Sequence, residues 1–353
     1  MPNEIADPFS GDAFELSSLT AAINDVDHIP GRAGQLVFAD SKVSKPISTL
    51  SIAIERVGET LELIQTRPRG APAEKLVGDR RTLHSFKVPH LQVEDTIYTE
   101  SVQSVRQFGS ADVLLTVEAK LNEVLTKMSR RLDYTLENHR LGALKGVTTD
   151  ADGSVLLDSY EAFGFLNSDG LAQPQTFDFD LDSLATGPSE IRVKCQGLAR
   201  YMRRAAKTLL TQDALVWAFV GDNFFDKLVS RQDVKDAWIG TEAAATVLGA
   251  NYAYGVFEFG GVLWENYRGS DNGEIFIDPD EARFFFVNAP QLYVEAFAPA
   301  DYIETVNTPG LPKYAKSAPD RMGKSMEIEA QSNPLPLCVQ PATLCRAVTG
   351  SSS

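Results

Sequence analysis

The sequence predicts an α+β fold and not a doubly wound α/β sheet. Three observations carry this. Helical and strand periodicities fall in partly separate blocks instead of alternating as strand–helix–strand units. One amphipathic repeat runs unbroken over residues 110–141, long for a globular helix. The first 48 residues lack the apolar periodicity to build a core of their own. The chain has 353 residues, 43% apolar and 23% charged. That is ordinary globular composition, and a chain of this length can bury about three quarters of its unfolded surface without staples.

Residues 1–48 read as an extended arm. Pro2, Pro8, Pro30 and Pro46 interrupt it, Gly31 and Gly34 flank Arg32 in a turn, and only 14–23 suits a short helix. Residues 49–99 read as two bent strands around a polar tip at 67–75. The outgoing strand shifts phase between Ile54 and Val57, and the returning one after Pro89. A lone ribbon of this kind is marginal in water, so it needs a surface to lie on. Next comes the long helix, with Val113, Val117, Leu121, Val124, Leu125, Met128, Leu132 and Leu136 inward. Ser110 caps its start, Arg140 suits its negative end and Gly142 closes it. At this length it spans roughly 48 Å, the span of a spine. A hairpin over 146–158 turns at Asp152-Gly153. A second helix covers 189–211 with Leu198, Met202, Ala205 and Leu209 inward, and shorter helices cover 222–239 and 241–248. Strands follow at 254–259, 262–267, 274–277, 284–287 and 292–297, then a last extended segment at 325–337.

Composition excludes several functions. Lysine plus arginine is 33 against 48 acidic residues, a net charge of −15, which disfavours sequence-blind DNA binding. The longest apolar run, 214–220, is far short of the ~20 residues of a membrane helix. The acidic opening Met1-Pro-Asn-Glu-Ile-Ala-Asp7 lacks a signal-peptide pattern. Three cysteines, Cys195, Cys338 and Cys345, form no CxxC and suit a reducing compartment. His28, His84, His90 and His139 have no metal spacing. Asp178, Asp180 and Asp182 alternate as in a calcium loop, but Ser183 and Ser189 stand where glycine and glutamate are required. No nucleophile elbow, phosphate loop or dinucleotide fingerprint is present. His84 and His90 on the ribbon read as solvated, Cys195 as a buried small apolar residue, and Glu258, Glu265, Asp278 and Asp280 as unpaired surplus carboxylates. The reading is of a protein without catalytic residues, metal or cofactor.

Two charge blocks remain. Residues 67–87 carry Arg67, Arg69, Lys75, Arg80, Arg81 and Lys87 against Glu74 and Asp79. Residues 146–191 contain no lysine or arginine but nine acids, Asp178, Asp180 and Asp182 among them. The basic ribbon is expected to dock on an acidic patch of a neighbouring copy, with those three aspartates as the acceptor. A further basic stripe, Arg200, Arg203, Arg204 and Lys207, sits on the second helix and reads as solvated or as meeting a neighbour or nucleic acid.

Several separated motifs resemble the lambda-type major capsid proteins of tailed phages, the major capsid protein E family. They are Gly142-Ala-Leu-Lys-Gly146 with its hairpin, Gly221-Asp-Asn-Phe-Phe-Asp-Lys-Leu228, residues 257–269 ending Trp-Glu-Asn-Tyr-Arg-Gly, residues 298–316, and Gln331-Ser-Asn-Pro-Leu-Pro-Leu-Cys338. The first hundred residues match by layout only. The resemblance implies the tailed-phage capsid fold named for phage Hong Kong ninety-seven. It divides the chain into an N-terminal arm (1–48), an extended loop (49–99), a peripheral domain (100–165 with 298–353) and an axial domain (166–297). It implies a virion shell protein that self-assembles as pentamers and hexamers around double-stranded DNA in the host cytoplasm. Portal and scaffolding proteins are the expected partners, with a decoration protein as an optional one. Two other readings stand beside it: an encapsulin-like cargo shell, which a neighbouring cargo gene would favour, and a soluble enzyme, which ligand-dependent melting of a small oligomer would favour.

Overall fold

A computed structural model of the chain describes residues 31–57, 81–102, 117–182, 190–234, 256–267 and 277–350, together with Leu16, Leu19, Thr20 and Ile23. In chain order the strands are β1 (Ser44–Pro46), β2 (Ser51–Val57), β3 (Arg81–Lys87), β4 (Leu91–Tyr98), β5 (Val147–Thr149), β6 (Val155–Asp158), β7 (Gln175–Asp178) and β8 (Leu215–Val220). They continue with β9 (Val256–Phe259), β10 (Val262–Asn266), β11 (Glu281–Val287), β12 (Tyr293–Phe297), β13 (Tyr314–Pro319), β14 (Ser325–Ser332), β15 (Pro334–Cys338) and β16 (Cys345–Val348). The main helices are α1 (Val117–Lys145), α2 (Ser159–Ala162), α3 (Glu190–Ala206) and α4 (Asp222–Ser230).

The larger core forms around a six-stranded sheet of order β7-β16-β11-β8-β10-β9. The apolar run at 214–220 becomes β8, whose last five residues are buried. A strand covered on both faces needs such an uninterrupted apolar stretch. Trp264, Phe179, Phe224 and Phe284 interlock beneath it, and α3 lays Ile191, Cys195, Leu198 and Met202 on the same core. The second helix ends earlier than expected. Ala206, not Ala205, is its last buried residue, because Lys207 turns the backbone (φ 53°) into a 3-10 segment and leaves Leu209 only half-buried.

The smaller core lies where α1 crosses the sheet β13-β14-β4. Leu121, Val124, Leu125, Met128 and Leu132 meet Ile97, Met326, Ile328 and Ala330, with Leu19 and Ile23 of the arm in the same cluster. The spine reading therefore holds, but its end differs from expectation. Gly142 lies inside the helix, where a β-carbon would stand 2.7 Å from the Thr148 Cα. The residue that stops the helix is Gly146, whose φ of +84° suits glycine. Residues 110–116 lie outside the described residues.

The ribbon β2–β3 pairs from Ser51↔Lys87 to Val57↔Arg81. Ile52, Ile54, His84 and Phe86 share its inner face, and Phe163 packs 5.3 Å from Phe86 and 5.0 Å from His84. His84 is thus half-buried rather than solvated. His90 shares a 2.8 Å hydrogen bond with Asn333. Past Pro89 the chain leaves the ribbon, and β4 pairs with β14 from Leu91 to Tyr98. Proline lacks the N–H that would continue the first ladder. The expected segment 325–337 is likewise two strands in two sheets: β14 pairs with β4 and β13, and β15 pairs with β12, which β1 joins in parallel. β16, not anticipated, threads between β7 and β11; four residues are too few to show a period.

The 146–158 hairpin forms as expected, with Gly153 at φ +83° and Asp150 N donating to Ser154 O at 2.8 Å. The expected strand at 274–277 and helix at 241–248 lie outside the described residues, apart from Ile277, which is a bend.

All three cysteines are free and buried. Burial pushes the Cys195 and Cys338 thiols up to about 12 and raises Cys345 as well. Since the thiolate is the nucleophile, iodoacetamide at pH 8 is expected to leave the native protein unlabelled and to modify three thiols after unfolding. Rapid labelling of any cysteine in the native protein would contradict this burial.

Candidate functional site

The densest long-range polar contacts converge where the arm meets α1. Gly31 and Gly34 were expected to make a simple turn. Instead they open a short helix (Gly34–Phe38) whose first free N–H groups are taken by a carboxylate from the spine. Ala33 N donates to Glu137 Oε1 at 2.7 Å and Gly34 N to Oε2 at 3.1 Å. A β-carbon at Gly31 would overlap the Glu137 carboxylate, and one at Gly34 the Arg140 guanidinium. Only glycine allows this approach.

One turn along α1, Arg140 makes a two-pronged ion pair with Glu295 of β12, at 2.6 and 3.0 Å. Arg32 reaches Glu265 of β10 at 2.6 Å, and the Trp217 indole N–H donates to the same carboxylate at 2.9 Å. Tyr267 donates its hydroxyl to Glu137 at 3.2 Å. Burial raises Glu137 and Glu265 above the ordinary carboxylate range. The Ala33 amide and Arg140 oppose this at Glu137, and Arg32 opposes it at Glu265. For Arg140 burial works against the cation, but Glu295 outweighs it and its pKa stands above the usual value. Lower on the spine, Lys313 is buried against Asp133 (2.8 Å) and Ser129 (2.6 Å).

This arrangement fastens the arm and the spine to each other and to β10 and β12. Its acids are held by arginines, by Lys313, by backbone N–H groups and by the Tyr267 and Trp217 side chains, an arrangement of structural ties. Among the described residues no group of three or more His, Cys, Asp or Glu could hold a metal ion, and no helix is long and apolar enough to cross a membrane.

Sequence reasoning missed this joint. The sequence pattern places Arg140 at a helix end and Glu265 among surplus carboxylates. The available signal was Asp133, Glu137 and Arg140 recurring at steps of four and three on the spine, a charged row that a helix of this length need not expose.

The expected assembly residues are less concentrated. Arg67, Arg69, Lys75 and Arg80 lie outside the described residues. Arg81 opens β3 and Lys87 closes it, exposed and opposite Ser51. Asp178 ends β7 and its Oδ1 accepts the Asp180 N–H at 2.8 Å; Asp180 has a φ of +50°. Asp182 pairs with Lys227 of its own subunit at 2.8 Å. The stripe residues Arg200, Arg203, Arg204 and Lys207 are all exposed on one side of α3 and its 3-10 extension.

A two-stranded ribbon, a spine helix crossing one sheet, and further sheets fastened to the spine by a buried ionic joint define a subunit of the tailed-phage capsid fold. Consistent with this, the structure superposes on the capsid of cyanophage P-SCSP1u with a TM-score of 0.53, covering 90% of this chain and 89% of that one at 10% identity. The chain belongs to the phage major capsid protein E family, whose model matches residues 15–349. It is 25% identical to the major capsid protein of Pseudomonas phage KPP10 over 93% of this chain and 95% of that one. It is 24% identical to the major capsid protein of Salmonella phage Felix O1 over 94% and 95%. The protein is therefore a structural capsid subunit and not an enzyme.

Proposed function

We propose that copies of this chain associate as pentamers and hexamers and close an icosahedral head shell around double-stranded DNA. Assembly takes place in the host cytoplasm, with portal and scaffolding proteins as further partners and a decoration protein as an optional one. The observation that carries the reading is the family match across nearly the whole chain, 15–349. Neither the cargo shell nor the enzyme alternative draws comparable support. Residues 1–48 then act as the arm and 49–99 as the extended loop. Residues 100–165 with 298–353 form the peripheral domain, and 166–297 the axial one. Two strand pairings cross these proposed boundaries: β4 (91–98) pairs with β14, and β16 pairs with β11.

In this reading the basic residues Arg67, Arg69, Lys75, Arg80, Arg81 and Lys87 dock the extended loop on a neighbouring copy. Many individually weak contacts of this kind suffice when each subunit is held by several neighbours. Electron microscopy of the expressed protein is expected to show shells, tubes or capsomer rings. A stable monomer across a range of salt, with scaffold supplied, would overturn the reading. Arg80→Glu with Arg81→Glu is expected to impair assembly while leaving subunit melting unchanged; loss of folding would assign those arginines to the subunit's own core.

A further inference from the structure

One strongly charged surface has no role in the joint or the ribbon. Arg192, Gln196, Arg200 and Arg203 line one flank of α3 and, with the Gly260–Gly261 turn between β9 and β10, bound a groove of about 530 Å³ that no carboxylate among the described residues lines. Arg200 and Arg203 are exposed, and neither forms an ion pair among the described residues. The groove is preformed. Both glycines have positive φ, and a β-carbon at Gly260 would lie 2.6 Å from the Cys195 Cβ, so the turn sits hard against the helix. Arg192 is further fixed over the Phe259 ring at 5.5 Å.

The opposite side of the same module carries exposed acidic residues, with the Lys194 charge there paired to Glu190. Tyr201 stands about 180° round the helix from Arg192, and it packs edge-on against Phe177 of β7 with centroids 5.8 Å apart. β7 and β9 are the two edges of the six-stranded sheet. On the β7 side Asp178 and Asp169 are exposed, and Asp182 pairs with Lys227. Asp169 rides on a tightly bonded loop: Asn167 Oδ1 accepts from Asp169 N at 3.0 Å and from Leu171 N at 2.9 Å. That loop holds Leu166 and Leu171 at 60% and 52% exposure, and Val193 beside the arginines on α3 is 58% exposed. Apolar side chains held in solvent and rimmed by charge mark a contact surface.

We propose that the arginine flank of α3 (Arg192, Arg200, Arg203) is the socket for the Asp169–Asp178 edge of a second copy, so that copies join head to tail into a closed ring. The inference rests on the self-assembly reading above and specifies one of its contacts. An interface between two different patches of the same chain generates rings when the rotation closes, and opposite charge on the two patches sets register and encounter rate. Phosphates of nucleic acid are the competing partner for arginines. The net charge of −15 works against that choice, and the complementary carboxylates are already present on the chain.

The test compares wild type with Arg200→Glu/Arg203→Glu, with Asp169→Lys/Asp178→Lys and with all four together. Assembled fraction is read by sedimentation velocity and electron microscopy, folding by circular dichroism, and binding of a double-stranded DNA fragment by gel shift. Each double reversal is expected to lower the assembled fraction by at least about tenfold, with unchanged melting, and the fourfold variant to recover to within about twofold of wild type. Should a reversal disturb folding, the milder Arg200→Gln/Arg203→Gln carries the test, with a loss of about threefold or more expected. Wild-type-like assembly of the arginine variants, with the wild type itself assembling, overturns this contact while the capsid reading stands. Loss of DNA binding without loss of assembly also overturns it and assigns the groove to nucleic acid. A wild type that never assembles defeats the capsid reading itself.

Discussion

Arg140→Ala is expected to destabilise the subunit by about 3–5 kcal/mol, the usual effect of stripping one partner from a buried ion pair. The loss comes mostly from what remains. Glu295 is 1% exposed, and without the two Arg140 bonds it must stay charged in a dry interior or take up a proton. Glu137 loses the neighbouring positive charge that opposes its desolvation. Urea unfolding at pH 7 measures the effect, and a loss below about 1 kcal/mol would show that the pair is solvated and unimportant. Replacing both partners, Arg140→Leu with Glu295→Leu, is expected to recover much of the loss, because an apolar pair of similar volume carries no desolvation cost. The arm should respond as well. Its helix is anchored on Glu137 next to Arg140, so the single variant is expected to assemble poorly even where its core remains folded.

Trp264→Ala should cost a comparable amount, about 3–5 kcal/mol, through a cavity. The indole is fully buried, its N–H donates to Phe259 O at 3.1 Å, and Phe284, Phe179 and Phe224 pack around it with centroids 5.3, 5.9 and 6.2 Å away. These rings are positioned by β10, β11, the segment after β7, and α4, so the void cannot close without moving several elements together. Guanidinium unfolding is the measurement. Trp264→Phe keeps most of the volume and is expected to lose clearly less. Equal losses from the two substitutions would point to the indole hydrogen bond, and not the packing, as the main contribution.

Much of the architecture was legible because it follows from period and punctuation. The α1 stripe from Val117 to Leu136, the Asp152-Gly153 turn and the uninterrupted apolar stretch of β8 each announce their structure within about twenty residues or fewer. Elements whose partners lie far along the chain were not legible. β16 is four residues long and becomes a strand because β7 and β11 flank it. β4 reads as a continuation of the ribbon, but its ladder is with β14, more than 220 residues later. The basic and acidic blocks were plain in the composition, yet composition says nothing of which side of a sheet each one occupies.

The sequence by itself determined the α+β class, the spine, the paired strands of the ribbon and the capsid family, because side-chain period, turn residues and motif order are local properties. Only the tertiary structure decided what Gly31, Gly34, Glu137, Arg140 and Glu295 do. Their significance is proximity between arm, spine and β12 across more than a hundred residues of chain. A buried charge has meaning only with its partner in place, and the fold alone supplies that partner.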